Sequence, residues 1–137
     1  MKAKLGVLVT CFSLLFSGAA LVAHHSFSTE YDGTKTFSLK GKVSKVEWTN
    51  PHVRFYVDIV DESGKMVTWN MELASPSALA RNGWTSRTLK VGDQVAVDGY
   101  AAKVAAYRGN ARSVVTADGR SLFAGAADDP DGPGAPR

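Results

Sequence analysis

The chain has 137 residues, 45% of them hydrophobic, with 16 Lys or Arg against 13 Asp or Glu and a formal net charge of +3. That length suits one domain with one packed core rather than several. A single cysteine, Cys11, excludes an internal disulfide framework and any cluster of thiolate metal ligands.

The chain opens on the basic Met1-Lys-Ala-Lys4 and continues through 19 residues, Leu5 to Ala23, that carry no charge. Small residues close the run at Gly18, Ala19, Ala20 and Ala23. Basic, apolar, then small is the order of a secretory signal peptide. The competing reading is a membrane anchor, since such a run almost spans a bilayer; the small-residue end favours cleavage, after Ala20 or after Ala23. The expected organisation is a signal peptide over 1–23, a domain over 24–124 and a disordered tail over 125–137. Cleavage removes Cys11, Lys2 and Lys4, which leaves 14 basic residues against 13 acidic ones and a net charge of +1. A periplasmic or secreted bacterial protein without a membrane span is expected. Neither charge nor compartment suits a nucleic-acid partner.

Residues 24–32 read as an extended arm that Phe27 and Tyr31 pack onto the domain. Phe37, Leu39, Gly41 and Val43 then alternate with polar residues, the period of a half-buried strand. The alternation slips before Val46 and Trp48, as a β-bulge would cause, and Gly41 permits the sharp coiling of a strand that serves two sheets. Asn50-Pro51 ends this strand. Val53, Phe55, Val57 and Ile59 form one face of the next, with Arg54, Tyr56 and Asp58 opposite. After the Gly64 turn, Val67, Trp69, Met71 and Leu73 alternate with Thr68, Asn70 and Glu72. Residues 75–83 predict a short helix with Ser75 as cap, Pro76 in its first turn and Gly83 as its stop. Strands are expected over 94–100 and 111–116, joined by a loop over 101–109, with a short extended piece over 121–123. The last ten residues hold no core-forming side chains.

Five strands with a helix between the third and fourth predict an all-β, OB-like five-stranded barrel, with an open β-sandwich as the rival. Trp48, Trp69 and Trp84 are read as core.

The 3 histidines are His24, His25 and His52. The arm carrying the first two can reach the turn carrying the third, and two or three imidazoles suit copper or zinc. Cleavage after Ala23 would add an α-amine to His24. The plain structural alternative is a mobile arm and a turn histidine bonded to backbone. A second candidate is a polar groove for a small ligand, formed by Arg54, Tyr56, Asn70 and Glu72 with Tyr107 and Arg108 from the following loop; its alternative is a solvated sheet face. There is no Gly-x-Ser-x-Gly elbow, no His-Glu-x-x-His and no Gly-rich phosphate loop. No catalytic residue is assigned, and no cofactor beyond the possible copper or zinc.

With His24-His25-Ser26-Phe27, Tyr31-Asp32, Gly41-Lys42-Val43, Glu47-Trp48-Thr49-Asn50-Pro51-His52, Pro76, Gly83-Trp84 and Val91-Gly92-Asp93 in place, the chain resembles DUF6152, a family of secreted bacterial domains of unknown function. The resemblance implies a compact, β-rich, OB-like exported domain and includes the histidine-bearing positions, but it supplies no activity or substrate. The expected function is a non-enzymatic binding module for a small ligand or a periplasmic protein; the alternative is copper or zinc binding through His24, His25 and His52.

Overall fold

The computed structural model describes residues 27–125. The signal segment, His24, His25 and the tail beyond residue 125 lie outside the described residues. In chain order the elements are α1 (Phe27–Glu30), β1 (Tyr31–Glu47), β2 (Arg54–Val60), β3 (Met66–Glu72), α2 (Pro76–Arg81), β4 (Gln94–Ala102), β5 (Arg108–Val115) and β6 (Ser121–Phe123). The described domain is all-β apart from the two short helices.

The strands are hydrogen-bonded in the order β3-β2-β1-β4-β5-β6, and β3 also pairs with β5. That last pairing is parallel and joins Asn70, Met71 and Glu72 to Arg108, Gly109 and Asn110. All other neighbours are antiparallel.

β1 serves two partners, as the slipped alternation predicts. Thr36 to Lys42 pair with β4, Lys42 to Glu47 pair with β2, and the register shifts between Val43 and Lys45. The extra residue is Ser44, so Val43 and Val46 both turn toward the core although they are three apart. Gly41 lies where a Cβ would collide with the Asp58 carbonyl oxygen. The core gathers the inward faces of all the long strands, including Val43, Phe55, Val57, Met71, Leu73, Val97 and Val114, and Leu79 of α2 closes it. Ser75 caps α2 by accepting from the Ala78 amide at 3.3 Å, and Gly83 takes a positive φ of 84° just past the helix. Trp84 is buried and its Nε1 donates to the Phe123 carbonyl at 2.8 Å. Trp48 and Trp69 pack against the same core while half-exposed.

Three expectations change. There are six strands, not five: the short piece over 121–123 pairs with Ser113 to Val115 of β5. Ala124 extends it, donating to Arg112 at 2.8 Å and accepting from the Ala74 amide at 2.9 Å. β6 therefore flanks β5 where β3 no longer does, and backbone groups that β3 leaves behind find partners there. Secondly, the arm is not extended throughout, because Phe27–Glu30 is one helical turn and the first strand starts at Tyr31. Thirdly, the connection between β4 and β5 is shorter than 101–109. Arg108-Gly109-Asn110 looks like loop but is strand, since Gly109 and Gly99 are the positions where the Phe37 ring lies on bare backbone.

Candidate functional site

The outer side of the sheet carries one row of directly opposed residues: Arg54 on β2, Glu72 on β3, Asn110 on β5 and Tyr100 on β4. The neighbouring row is Tyr56, Asn70 and Arg108. Parity explains the first two members of each row, because residues two apart on a strand share a face. Closure by the parallel β3–β5 pair supplies the rest.

Glu72 is the centre. Its side chain is only 7% exposed although it stands on the outward face. His52 Nδ1 lies 2.9 Å from Oε1; Arg54 Nη2 donates to Oε2; Arg108 Nη2 reaches the same oxygen at 3.4 Å. Arg54 also donates through Nη1 to Asn70 Oδ1 at 3.3 Å. His52 is placed by the Val53 backbone, which pairs with Ala74 and Leu73 at 3.1 and 2.8 Å and so carries the ladder one step past Arg54. The three donors remain about one-third exposed, His52 at 35%, Arg54 at 28% and Arg108 at 32%. The cluster is thus a buried carboxylate under a rim of two guanidiniums and an imidazole that solvent can reach.

The N-terminal arm closes the other side. Glu30 accepts from Arg108 Nη2 at 2.8 Å. Tyr31 is buried, with the Arg108 guanidinium 5.8 Å from its ring centre. Phe27 meets Tyr31 and Tyr100 at ring distances of 5.7 and 5.2 Å. Lys103 binds the helix from beneath, its amide donating to the Glu30 carbonyl at 3.0 Å and its Nζ to the Ser28 carbonyl at 2.6 Å. Three buried polar atoms collect where the arm meets β5: the Tyr31 hydroxyl, Arg108 Nε and Asn110 Oδ1 have no hydrogen-bond partner. Burial, and then the Glu72 carboxylate, push the Tyr31 hydroxyl well above the usual phenol range, while Arg108 pulls the other way. Both groups are close polar neighbours of that hydroxyl.

Of the residues expected in a ligand groove, Arg54, Asn70, Glu72 and Arg108 come together. Tyr56 shares their face but its hydroxyl donates to Glu47 at 3.3 Å. Tyr107 is half-exposed, takes a positive φ of 54° and meets Trp69 edge-on at 6.0 Å. A solvated sheet face does not describe Glu72, which is buried. Among the described residues no group of three or more His, Cys, Asp or Glu is arranged to hold a metal ion; of the expected ligands only His52 is described, and its Nδ1 faces Glu72. Sequence reasoning overlooked Glu30 and Asn110 and gave His52 a different neighbour. The Arg54–Glu72 pair could have been found from the hairpin register alone, whereas Asn110 needs the β3–β5 contact and Glu30 needs the fold of the arm.

Fold and cluster together define a small β-rich domain with a buried carboxylate, ringed by cations, on its outer sheet face. The chain belongs to the family of unknown function DUF6152, which matches residues 13–111. No curated protein matches the chain. Among solved structures it is similar to the mitochondrial single-stranded DNA binding protein Rim1 of S. cerevisiae, at 10% identity over 61% of this chain and 93% of that one, with a TM-score of 0.47. A selenomethionine-labelled form of the same protein gives 12% identity, 63% and 97% coverage and a TM-score of 0.47. Nothing about this chain's function follows from that likeness.

Proposed function

We propose that this chain is an exported, periplasmic OB-like barrel, five strands in a ring with β6 appended, that serves as a non-enzymatic binding module for a small polar ligand. The observation that carries this reading is the Glu72 cluster. A buried carboxylate, held by partners from two separate segments, residues 52–54 and Arg108 of β5, makes a rigid floor, and the partly exposed Arg54, His52 and Arg108 make a polar rim above it. Both Glu72 oxygens are engaged by protein donors, which suits a structural floor better than an acid or base acting on substrate. A periplasmic protein is the other class of partner for the same rim.

One observation favours the metal alternative. His52 presents Nδ1 to Glu72, which leaves Nε2 as the nitrogen for a ligand, the orientation that carboxylates impose on metal-binding imidazoles. In that reading His24 and His25 supply the remaining ligands for copper or zinc.

Calorimetric titration of the mature chain, after intact mass has located its N-terminus, separates the readings. Saturable binding from a panel of small polar compounds, lost in Arg54→Ala while melting shows that the chain is still folded, supports the ligand module. One-to-one copper(II) or zinc binding, lost in His52→Ala and in a form starting after His25, supports the metal site. Absence of both overturns the small-ligand reading and directs attention to protein capture.

A further inference from the structure

Arg108 holds its own chain's carboxylate in an incomplete way. Glu30 takes one guanidinium nitrogen, Nη2, at 2.8 Å, and Glu72 shares that nitrogen at 3.4 Å, while Nε of the same side chain is buried and unpartnered. A carboxylate lying in the guanidinium plane engages Nε and Nη2 together, and such a fork is stronger and more specific than a single contact. Beside it Asn110 Oδ1, on a residue 2% exposed, is an acceptor with no donor, and the Tyr31 hydroxyl is a third unmatched group. Unmatched buried polar atoms cost free energy and are rare in folded proteins. Here two of them belong to β5, at positions 108 and 110, and the third to the segment 27–31, whose Glu30 and Tyr31 lie against Arg108.

That segment is joined to the rest of β1 by a break. Tyr31 pairs with Ala102, and the regular register with β4 resumes only at Thr36. Asp32 closes a local turn between them, accepting from the Thr34 amide and hydroxyl at 3.0 and 2.6 Å, with Gly33 inside it. The arm is therefore a strap, with Glu30, Tyr31, Phe27 and Lys103 among its ties, set off from the rest of β1 by the register break at residues 32–35.

We propose that the strap is a displaceable cover whose Glu30 stands in for the carboxylate of a small hydroxycarboxylate ligand. The ligand's carboxylate takes the Nε and Nη2 fork of Arg108, and its hydroxyl donates to Asn110 Oδ1. This deepens the ligand-module reading and rests on it. It assigns Glu30 as a competitor for the site and names a chemical class for the occupant.

The experiment is a calorimetric titration of the mature chain and its Glu30→Gln variant with malate, and with succinate, which has the same two carboxylates and no hydroxyl. Hydrogen exchange of residues 27–31 is followed in parallel. Glu30→Gln removes the competing charge but keeps the side-chain shape, so malate binding should tighten about tenfold, equivalent to about 1.4 kcal/mol. Malate should bind tighter than succinate, exchange at 27–31 should rise on binding, and Arg108→Met should abolish binding while melting confirms a folded chain. Equal affinity in the wild-type chain and Glu30→Gln overturns the competition. Equal affinity for malate and succinate overturns the hydroxyl contact. If Glu30→Gln binds neither while another small compound binds in an Arg54-dependent manner, the strap proposal fails and the ligand-module reading stands; if nothing small binds to any form, both fail.

Discussion

At the scale of single residues, Glu72 has the largest predicted effect. Glu72→Leu strands two guanidiniums and an imidazole that were oriented around it. Fully buried pairs cost about 3–5 kcal/mol when broken, but these donors are about one-third exposed and can turn to water, so a loss of about 2 kcal/mol in urea unfolding is expected. His52→Ala, which removes one partner and leaves the carboxylate with two, should cost under about 1 kcal/mol by the same measurement. Tyr31 supplies a pH dependence. Its hydroxyl is raised in the folded chain, by burial first and by Glu72 second. The unfolded chain releases that proton near pH 10 while the folded chain still holds it. Stability from this group is therefore complete below about pH 10 and falls above it, by up to about 1.4 kcal/mol per pH unit. Unfolding followed between pH 9 and 11 should show a shallower decline in Tyr31→Phe than in the parent. Because the hydroxyl has no bonding partner, that same variant should be as stable as the parent, or more so, at pH 7.

At the scale of elements, the sequence was most informative where burial follows a period. The inward faces of β2 and β3 are alternating apolar residues, and the slip that predicts a bulge falls at Ser44. The helix signals at Ser75, Pro76 and Gly83 are local chemistry and were legible for that reason. Ser75→Ala should lower stability by about 1 kcal/mol in thermal or urea unfolding, since it removes the acceptor for the Ala78 amide. What could not be read was set from outside the segment. Arg108-Gly109-Asn110 has loop-like composition because a distant ring, Phe37, requires bare backbone there. Phe27–Glu30 is too short to have a helical period of its own and is held by Tyr100, Arg108 and Lys103. Half of the candidate site followed the same rule. The Arg54–Glu72 pair is written into a hairpin, but the Asn110 and Glu30 contributions belong to tertiary contacts that no single stretch encodes.

At the scale of the molecule, the pairings that complete the sheet are long-range. Phe37 opposes Gly99, and Asn70 opposes Arg108. Chains dominated by such contacts must close large loops before the contacts can stabilise them, and comparable β domains fold in milliseconds to seconds. Stopped-flow refolding followed by tryptophan fluorescence should place the main phase in that range; a main phase in microseconds would show that local structure dominates instead.

The parallel contact between β3 and β5 has a further consequence. Arg54 and Glu72 meet as soon as the β2–β3 hairpin forms, but Arg108 and Asn110 arrive only when that contact closes the sheet. Until then the hairpin presents a carboxylate with part of its counter-charge missing. The complete cluster is therefore a late product of folding, present only once β3 and β5 have paired. A chain that is still folding has no version of this cluster with all its donors in place, and a proteolytic cut in the 103–107 connection would dismantle it by removing the tether that brings β5 to β3.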